Sequence, residues 1–124
     1  MFLAANHDVD LIVPVALGPK RLKERGYNQA NLLASPCAIR LGVECNQRAL
    51  RRIRETRSQV GLSIVQRQNN VSGAFIADSK EVGGKRVLLI DDVLTTGATL
   101  NACAEALKQA GAVQIFSLTL ARAP

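Results

Sequence analysis

The sequence predicts an α/β fold, a doubly wound and mostly parallel sheet built as a single domain over residues 1–124. Three observations carry that expectation. Short apolar runs alternate along the chain with segments whose apolar residues recur at helical spacing. The run Val87-Leu88-Leu89-Ile90 is too short for a helix and has no polar alternation, which suits a strand buried on both faces. That run ends on two adjacent acids, Asp91 and Asp92, and leads through Thr95-Thr96-Gly97-Ala98-Thr99 into an amphipathic helix.

In chain order, Met1 to Asp8 carries little pattern and reads as a terminal tail, with His7 as a surface residue lacking any partner at a recognisable spacing. Asp10 to Leu17 reads as the first core strand. Pro14 cannot donate to a ladder, so the strand should end there and lead towards the Gly18-Pro19 turn. Lys20 to Gln29 is a basic loop. Ala30, Leu33, Ala34, Cys37, Ala38 and Leu41 then mark a helix stopped by Gly42. Pro36 inside it should bend it, at a cost of about 3 kcal/mol if unrelieved.

A second strand is expected near Arg48–Ile53. Residues 55–72 form a long polar connection, of a kind that is commonly functional, with a short helix starting at Ser63. Ala74–Ala77 is a short strand, Asp78–Gly84 a turn, and Lys85–Ile90 the central strand. Leu100, Cys103, Ala104, Leu107 and Ala110 form one apolar helix face, ended by Gly111. Val113–Leu120 alternates apolar and polar residues, which suits a strand nearer the sheet edge, and Ala121–Pro124 is a stub.

The composition is globular, 48% hydrophobic, and with only 3% aromatic residues the core must be aliphatic. No apolar run approaches a membrane span and no basic-then-apolar leader opens the chain, so a cytoplasmic location and no membrane partner are expected. Cys37, Cys45 and Cys103 form no Cys-x-x-Cys pair and read as buried or free thiols rather than zinc ligands, Cys103 as core. Sixteen Lys and Arg against ten acids leave a net charge of +6, suited to a polyanionic small substrate or to nucleic acid. The positive charge collects at Lys20–Arg25 and Arg48–Arg57, either as anion-binding clusters or as solvated faces.

The loop after the central strand has a chemistry of its own. In an open α/β sheet the ligand crevice lies outside the carboxyl ends of the strands. Thr95, Thr96 and Thr99 offer hydroxyls there, Gly97 lets backbone N–H groups approach an anion, and the helix opening near Ala98 adds its positive end. Those features suit a phosphate monoester. Asp91 and Asp92 would repel a phosphate, so their partners should be vicinal sugar hydroxyls or a Mg²⁺ held through water. A sugar phosphate spanning loop and acids satisfies both; the bland alternative is a buried strand ending in a solvated acidic turn. No G-x-x-x-x-G-K-[ST] or G-x-G-x-x-G motif occurs, which disfavours P-loop hydrolases and dinucleotide folds of those types.

The run from Val87 to Thr99 closely resembles the PRPP-binding motif (PRPP, 5-phosphoribosyl 1-diphosphate) of type I phosphoribosyltransferases. Val13-Pro14-Val15-Ala16-Leu17, Lys20-Arg21 and Arg25-Gly26-Tyr27-Asn28-Gln29-Ala30 resemble one branch of that superfamily, the competence protein F (ComF) family, also described as amidophosphoribosyltransferase-like. Arg52, Arg54, Thr56, Gln59, Leu62, Arg67, Asn69, Gly73 and Phe75 continue the family's spaced pattern, so the resemblance runs from about residue 10 to the C-terminus.

The resemblance implies the type I phosphoribosyltransferase fold and a Mg²⁺-dependent transfer of a 5-phosphoribosyl group with release of pyrophosphate. Thr95, Thr96, Gly97, Ala98 and Thr99 would hold the 5′-phosphate, and Asp91 and Asp92 the ribose hydroxyls, directly or with Mg²⁺. Val15, Ala16 and Leu17 would meet the pyrophosphate through backbone N–H groups, in a loop that in these enzymes often holds a strained cis peptide bond. Arg54 and Arg57 would steady departing pyrophosphate, with Lys20, Arg21 and Arg25 as further candidates. No catalytic His or Cys is needed.

Members of the family commonly carry an N-terminal cysteine-rich zinc ribbon and a linker, whereas here the sequence starts almost at the first strand. Little sequence remains for the hood that contacts the acceptor base; Met1–Val9 with the long loop would supply it, or a partner, or the chain is shortened. The alternative function, in a different class, is a non-catalytic protein of PRPP fold acting in DNA uptake or competence, with single-stranded DNA or a protein of the competence machinery as partner. Tyr27 and three Phe offer few stacking platforms for bases. A homodimer is compatible with either.

Overall fold

The computed structural model describes residues 8–15, 29–53, 61–66, 73–94 and 97–122, without the side chains of Gln29, Asn31, Asp92–Leu94 and Leu120–Arg122. Its elements are β1 (Leu11–Pro14), α1 (Gln29–Leu41), β2 (Glu44–Cys45), β3 (Leu50–Arg52), β4 (Phe75–Ala77), α2 (Ser79–Val82), β5 (Arg86–Leu94), α3 (Ala98–Gln109) and β6 (Gln114–Arg122). Strands β2-β1-β5-β6 form one sheet in that order, parallel throughout, and β3 and β4 pair antiparallel in a second sheet. This is the doubly wound arrangement that the alternation of elements predicts.

β1 is short because Pro14 ends it, as expected. All four of its residues are buried, and the ladder resumes one residue later, where the Val15 N–H donates to the Ile90 carbonyl at 2.9 Å. α1 runs through Pro36, which stands on the exposed side. The carbonyl that loses its donor to Pro36 belongs to Leu32, itself exposed, and can turn to solvent. Gly42 stops the helix: its N–H donates to the Ile39 carbonyl, and the Val43 N–H to the Ala38 carbonyl.

Several boundaries differ from the sequence reading, among them the end of β6, which runs to Arg122 through part of the expected stub. The chain pairs with β1 already at Glu44–Cys45, ahead of the strand expected near Arg48–Ile53, and the latter is β3 of the second sheet. A two-residue strand has no period to read; it exists because the chain leaving α1 returns beside β1. The expected turn at Asp78–Gly84 holds a one-turn helix, α2, capped by the Asp78 carboxylate, which accepts from the Lys80 N–H at 2.9 Å, and anchored by buried Val82. β5 does not stop at Ile90. It continues through both acids to Leu94, because β6 runs beside it with Asp91 opposite Thr119 and Leu94 opposite Arg122. The short helix expected at Ser63 is present as one turn, where Ser63 and Gln66 exchange reciprocal side-chain-to-backbone hydrogen bonds of 2.9 and 3.2 Å.

Each face of the sheet has its own core. Leu11, Val13, Val87 and Leu89 point to one face and meet Cys103 and Leu107 of α3 with Leu50 and Phe75 of the small sheet. Ile12, Leu88 and Ile90 point to the other and meet Ala34 and Ala38 of α1. Alternation along β1 and β5 thus feeds two layers, and both strands are apolar on both sides, as a central parallel pair must be. β6 sits at an edge of the sheet, as its polar alternation predicts.

Where β1 and β5 begin, Asp10 holds Arg86: the guanidinium donates to both carboxylate oxygens at 2.9 and 3.0 Å, the Arg86 backbone N–H donates to the same carboxylate at 2.9 Å, and the Asp10 N–H donates to the Arg86 carbonyl at 2.8 Å. Asp8 lies 3.6 Å from the same guanidinium. The side-chain hydrogen bond from Arg86, with its backbone N–H and positive charge, lowers the Asp10 carboxyl from 3.8 to about 2.

The fold makes two predictions. Leu107→Ala, which empties a fully buried site facing both sheets, should cost about 2–5 kcal/mol in urea unfolding. Because the Asp10 carboxyl is depressed in the folded chain, its contribution to stability is complete above about pH 4 and is lost as the pH falls towards 2. In Arg86→Gln, which keeps only the backbone N–H donor, the Asp10 carboxyl should move back towards its ordinary value in an NMR pH series, and that acid-side loss of stability should shrink.

Candidate functional site

The parallel register brings the carboxyl ends of β1 and β5 side by side. Pro14 lies opposite Ile90, so buried Val15 and half-buried Asp91 are the next residues out on neighbouring strands. Of the expected pyrophosphate loop, Val15 is thus placed; Ala16 and Leu17, with Lys20, Arg21 and Arg25 beyond them, lie outside the described residues. The backbone of Asp92 continues β5, while Thr95 and Thr96 lie outside the described residues.

Gly97 opens α3 with φ +84° and ψ 0°, the left-handed region in which a side chain at this position would cost about 1 kcal/mol or more. Gly97 has no side chain with which to cap the helix, and its carbonyl takes the first helical hydrogen bond, from the Asn101 N–H at 2.8 Å. Ala98 is buried and Thr99 half-buried in the first turn. The positive end of a twelve-residue helix therefore stands just past the strand that carries Asp91.

Cys103 reports what surrounds that strand end. It lies one turn beyond Thr99 on α3 and is fully buried. Burial pushes its thiol far up; the positive charge of Arg52 pulls the other way, and the Asp91 carboxylate adds to the rise. Asp91, Arg52 and α3 therefore share one neighbourhood on the α3 side of the sheet. Arg52 enters it from β3, with its guanidinium 4.7 Å over the centroid of the Phe75 ring on β4. Arg54 and Arg57, expected to meet the leaving group, follow β3 and lie outside the described residues. Arg52 is the cation the structure adds. Its place two residues before Arg54 in the spaced pattern was the available signal, although sequence alone gave no reason to prefer it.

A carboxylate, a guanidinium and a helix N-terminus at the carboxyl ends of parallel strands can together receive a ligand that is anionic at one end and hydroxylated beside it. Residues 29–124 match the family described as the phosphoribosyl transferase domain, and the chain belongs to that family. Among its relatives, Competence protein F of Haemophilus influenzae is 40% identical over 116 residues, covering 92% of this chain and 51% of that protein. DNA utilization protein YhgH of Escherichia coli (strain K12) is 37% identical over 111 residues, 88% of this chain and 48% of that one. Competence protein ComFC of Bacillus subtilis is 33% identical over 117 residues, 90% of this chain and 44% of that one. The resemblance to the competence protein F family is thereby borne out, and the chain spans about half the length of these relatives.

The fold has solved counterparts. A purine phosphoribosyltransferase from Pyrococcus horikoshii superposes with a TM-score of 0.63 at 22% identity, over 99% of this chain and 67% of that one. The glutamine PRPP amidotransferase of B. subtilis gives 0.63 at 23%, over 94% of this chain and 24% of that one. Among the described residues no helix is long and apolar enough to cross a membrane.

Gly97→Ala tests the opening of α3. It should lower stability by about 1 kcal/mol in denaturant unfolding, since nothing but glycine is at ease at this φ.

Proposed function

We propose that this chain binds PRPP with Mg²⁺ and transfers its 5-phosphoribosyl group to an acceptor. The observation that carries the reading is the juxtaposition of Asp91, at the extended end of β5, with the Gly97-opened N-terminus of α3. The helix end and the Thr95–Thr99 loop suit the 5′-phosphate; Asp91 and Asp92 suit the ribose hydroxyls; Val15 and the residues after it suit the pyrophosphate. In the transfer, the C1–O bond to pyrophosphate breaks, pyrophosphate leaves with the bonding electrons, and the acceptor forms the new bond to C1. Positive charge grows on the ribose meanwhile. Positioning and charge neutralisation suffice for such a step, and Arg52, Arg54 and Arg57 are the cations on hand for the leaving group.

Among the described residues no group of three or more His, Cys, Asp or Glu could hold a metal ion. Asp91 and Asp92 suit Mg²⁺ that arrives on the substrate's own oxygens, as the protein's share of its ligands. Bound in that way, Mg²⁺ would neutralise charge on the pyrophosphate.

A second reading is favoured by the relatives' names, which speak of competence and DNA utilization. In it the chain keeps the PRPP fold and serves DNA uptake without transfer, using its +6 charge against single-stranded DNA.

Calorimetric titration with PRPP and Mg²⁺ decides between them, with ribose 5-phosphate for comparison. Micromolar binding is expected, and Asp91→Asn combined with Asp92→Asn should abolish it while leaving the circular dichroism spectrum unchanged. Unaltered binding in that variant would sink the site assignment. Salt-dependent affinity for single-stranded DNA with no PRPP turnover would put the second reading first.

A further inference from the structure

Asp91 has a neighbouring strand on each side. Towards β1 the next residue out is Val15, whose side chain is apolar and buried. Towards β6 it is Thr119, which the ladder sets directly opposite Asp91. Thr119 belongs to no contiguous motif, and its place beside the acid is made by the register of β5 against β6 alone.

Alternation fixes the face to which each side chain turns. Leu89 lies in the core beneath α3 and Ile90 in the core beneath α1, so Asp91 returns to the α3 side. On β6, Ile115 packs on the α3 side and Phe116 and Leu118 on the α1 side, so Thr119 also returns to the α3 side. Neighbouring strands lie about 4.8 Å apart, close enough for paired side chains on one face to meet the same ligand group. Asp91 and Thr119 are both half-buried, at one height, on the face over which the N-terminus of α3 opens. Their chemistry is complementary. An ionised carboxylate only accepts hydrogen bonds, whereas a sugar hydroxyl both donates and accepts. A ribose hydroxyl that gives its proton to Asp91 keeps lone pairs, to which a threonine hydroxyl alongside can donate. Branching at Cβ leaves threonine few χ1 choices, so little freedom is lost when its hydroxyl is held in place.

We infer that Thr119 is a further substrate-binding residue, whose hydroxyl donates to the ribose hydroxyl from which Asp91 accepts, so that β5 and β6 read the sugar together. The inference rests on the phosphoribosyl reading of the site and adds a specificity to it. A ligand without that hydroxyl loses both contacts at once, so the site discriminates a ribosyl from a deoxyribosyl phosphate.

The test is a set of calorimetric titrations in which PRPP with Mg²⁺ is displaced by ribose 5-phosphate and by its 2-deoxy and 3-deoxy analogues. Thr119→Val keeps the shape and strand preference of the side chain and removes only the hydroxyl. It should weaken ribose 5-phosphate binding by about 3- to 10-fold with unchanged thermal unfolding, while Thr119→Ser stays within about twofold of the unaltered chain. The loss caused by Thr119→Val should vanish with one of the two deoxy analogues, because the hydroxyl it served is gone. Equal binding of ribose 5-phosphate by Thr119→Val, a loss that persists with both analogues, or a Thr119→Ser variant as weak as Thr119→Val would each overturn the inference. An unaltered chain that binds no PRPP would instead overturn the phosphoribosyl reading, and this inference with it.

Discussion

The Val15 N–H donates to the Ile90 carbonyl, one bond past the last residue of β1, and the geometry of the site follows from it. That bond continues the parallel register Leu11–Val87 through Pro14–Ile90, and it delivers two different chain segments to the same height at the same edge of the sheet. A shift of the register by one residue would send Leu11 and Val13 to the α1 side and Ile12 to the α3 side, so the register rests on the fit of these side chains in both cores at once. The site is therefore fixed by aliphatic packing well below it. Leu11, Ile12, Val13, Leu88, Leu89 and Ile90 are all within 2% of complete burial, and no residue of the crevice has to be rigid for its own sake.

Electrostatics then separates what can react from what cannot. Cys103 lies under the site, and a buried thiol in a neighbourhood that includes a carboxylate would be a tempting nucleophile on a list of residues. Its burial keeps it protonated far above neutral pH, and the nearby Arg52 does not reverse this, so it behaves as a small apolar side chain of the α3 core. The proposed phosphoribosyl transfer would ask for charge placement instead of a nucleophile, which Arg52 and Asp91 in the same surroundings could supply. The Arg52 guanidinium lies 4.7 Å over the centroid of the Phe75 ring, a contact that helps to fix where its charge stands.

The parts of the fold that were legible in the sequence are those whose signal is local. Pro14 and Gly42 end their elements for reasons contained in single residues, the aliphatic run before Asp91 can only be a buried strand, and the helix after Gly97 shows its period in Leu100, Cys103 and Leu107. What was not legible depends on neighbours distant in sequence. β5 passes through two acids because β6 is alongside, Glu44–Cys45 is a strand only by virtue of β1, and Arg52 reaches the site through a hairpin whose other half is Phe75. The acids, the glycine and the threonines of the candidate site could be named from the sequence because the motif is contiguous. The cations could only be narrowed to a cluster, since their selection is made by tertiary contact.

The small sheet has a further consequence. Arg52 and Phe75 face each other across its ladder, so the chain between them departs and returns at a single point, pinned on α3 by Leu50, Ala74 and Phe75. Closing a loop whose ends are already fastened costs little more as it lengthens, of the order of 0.6 kcal/mol for each doubling. Insertions and deletions in that stretch leave the register of the main sheet untouched. That stretch is thus free to change in length and chemistry while the main sheet stays as it is, which is the condition under which one scaffold can be fitted to many ligands.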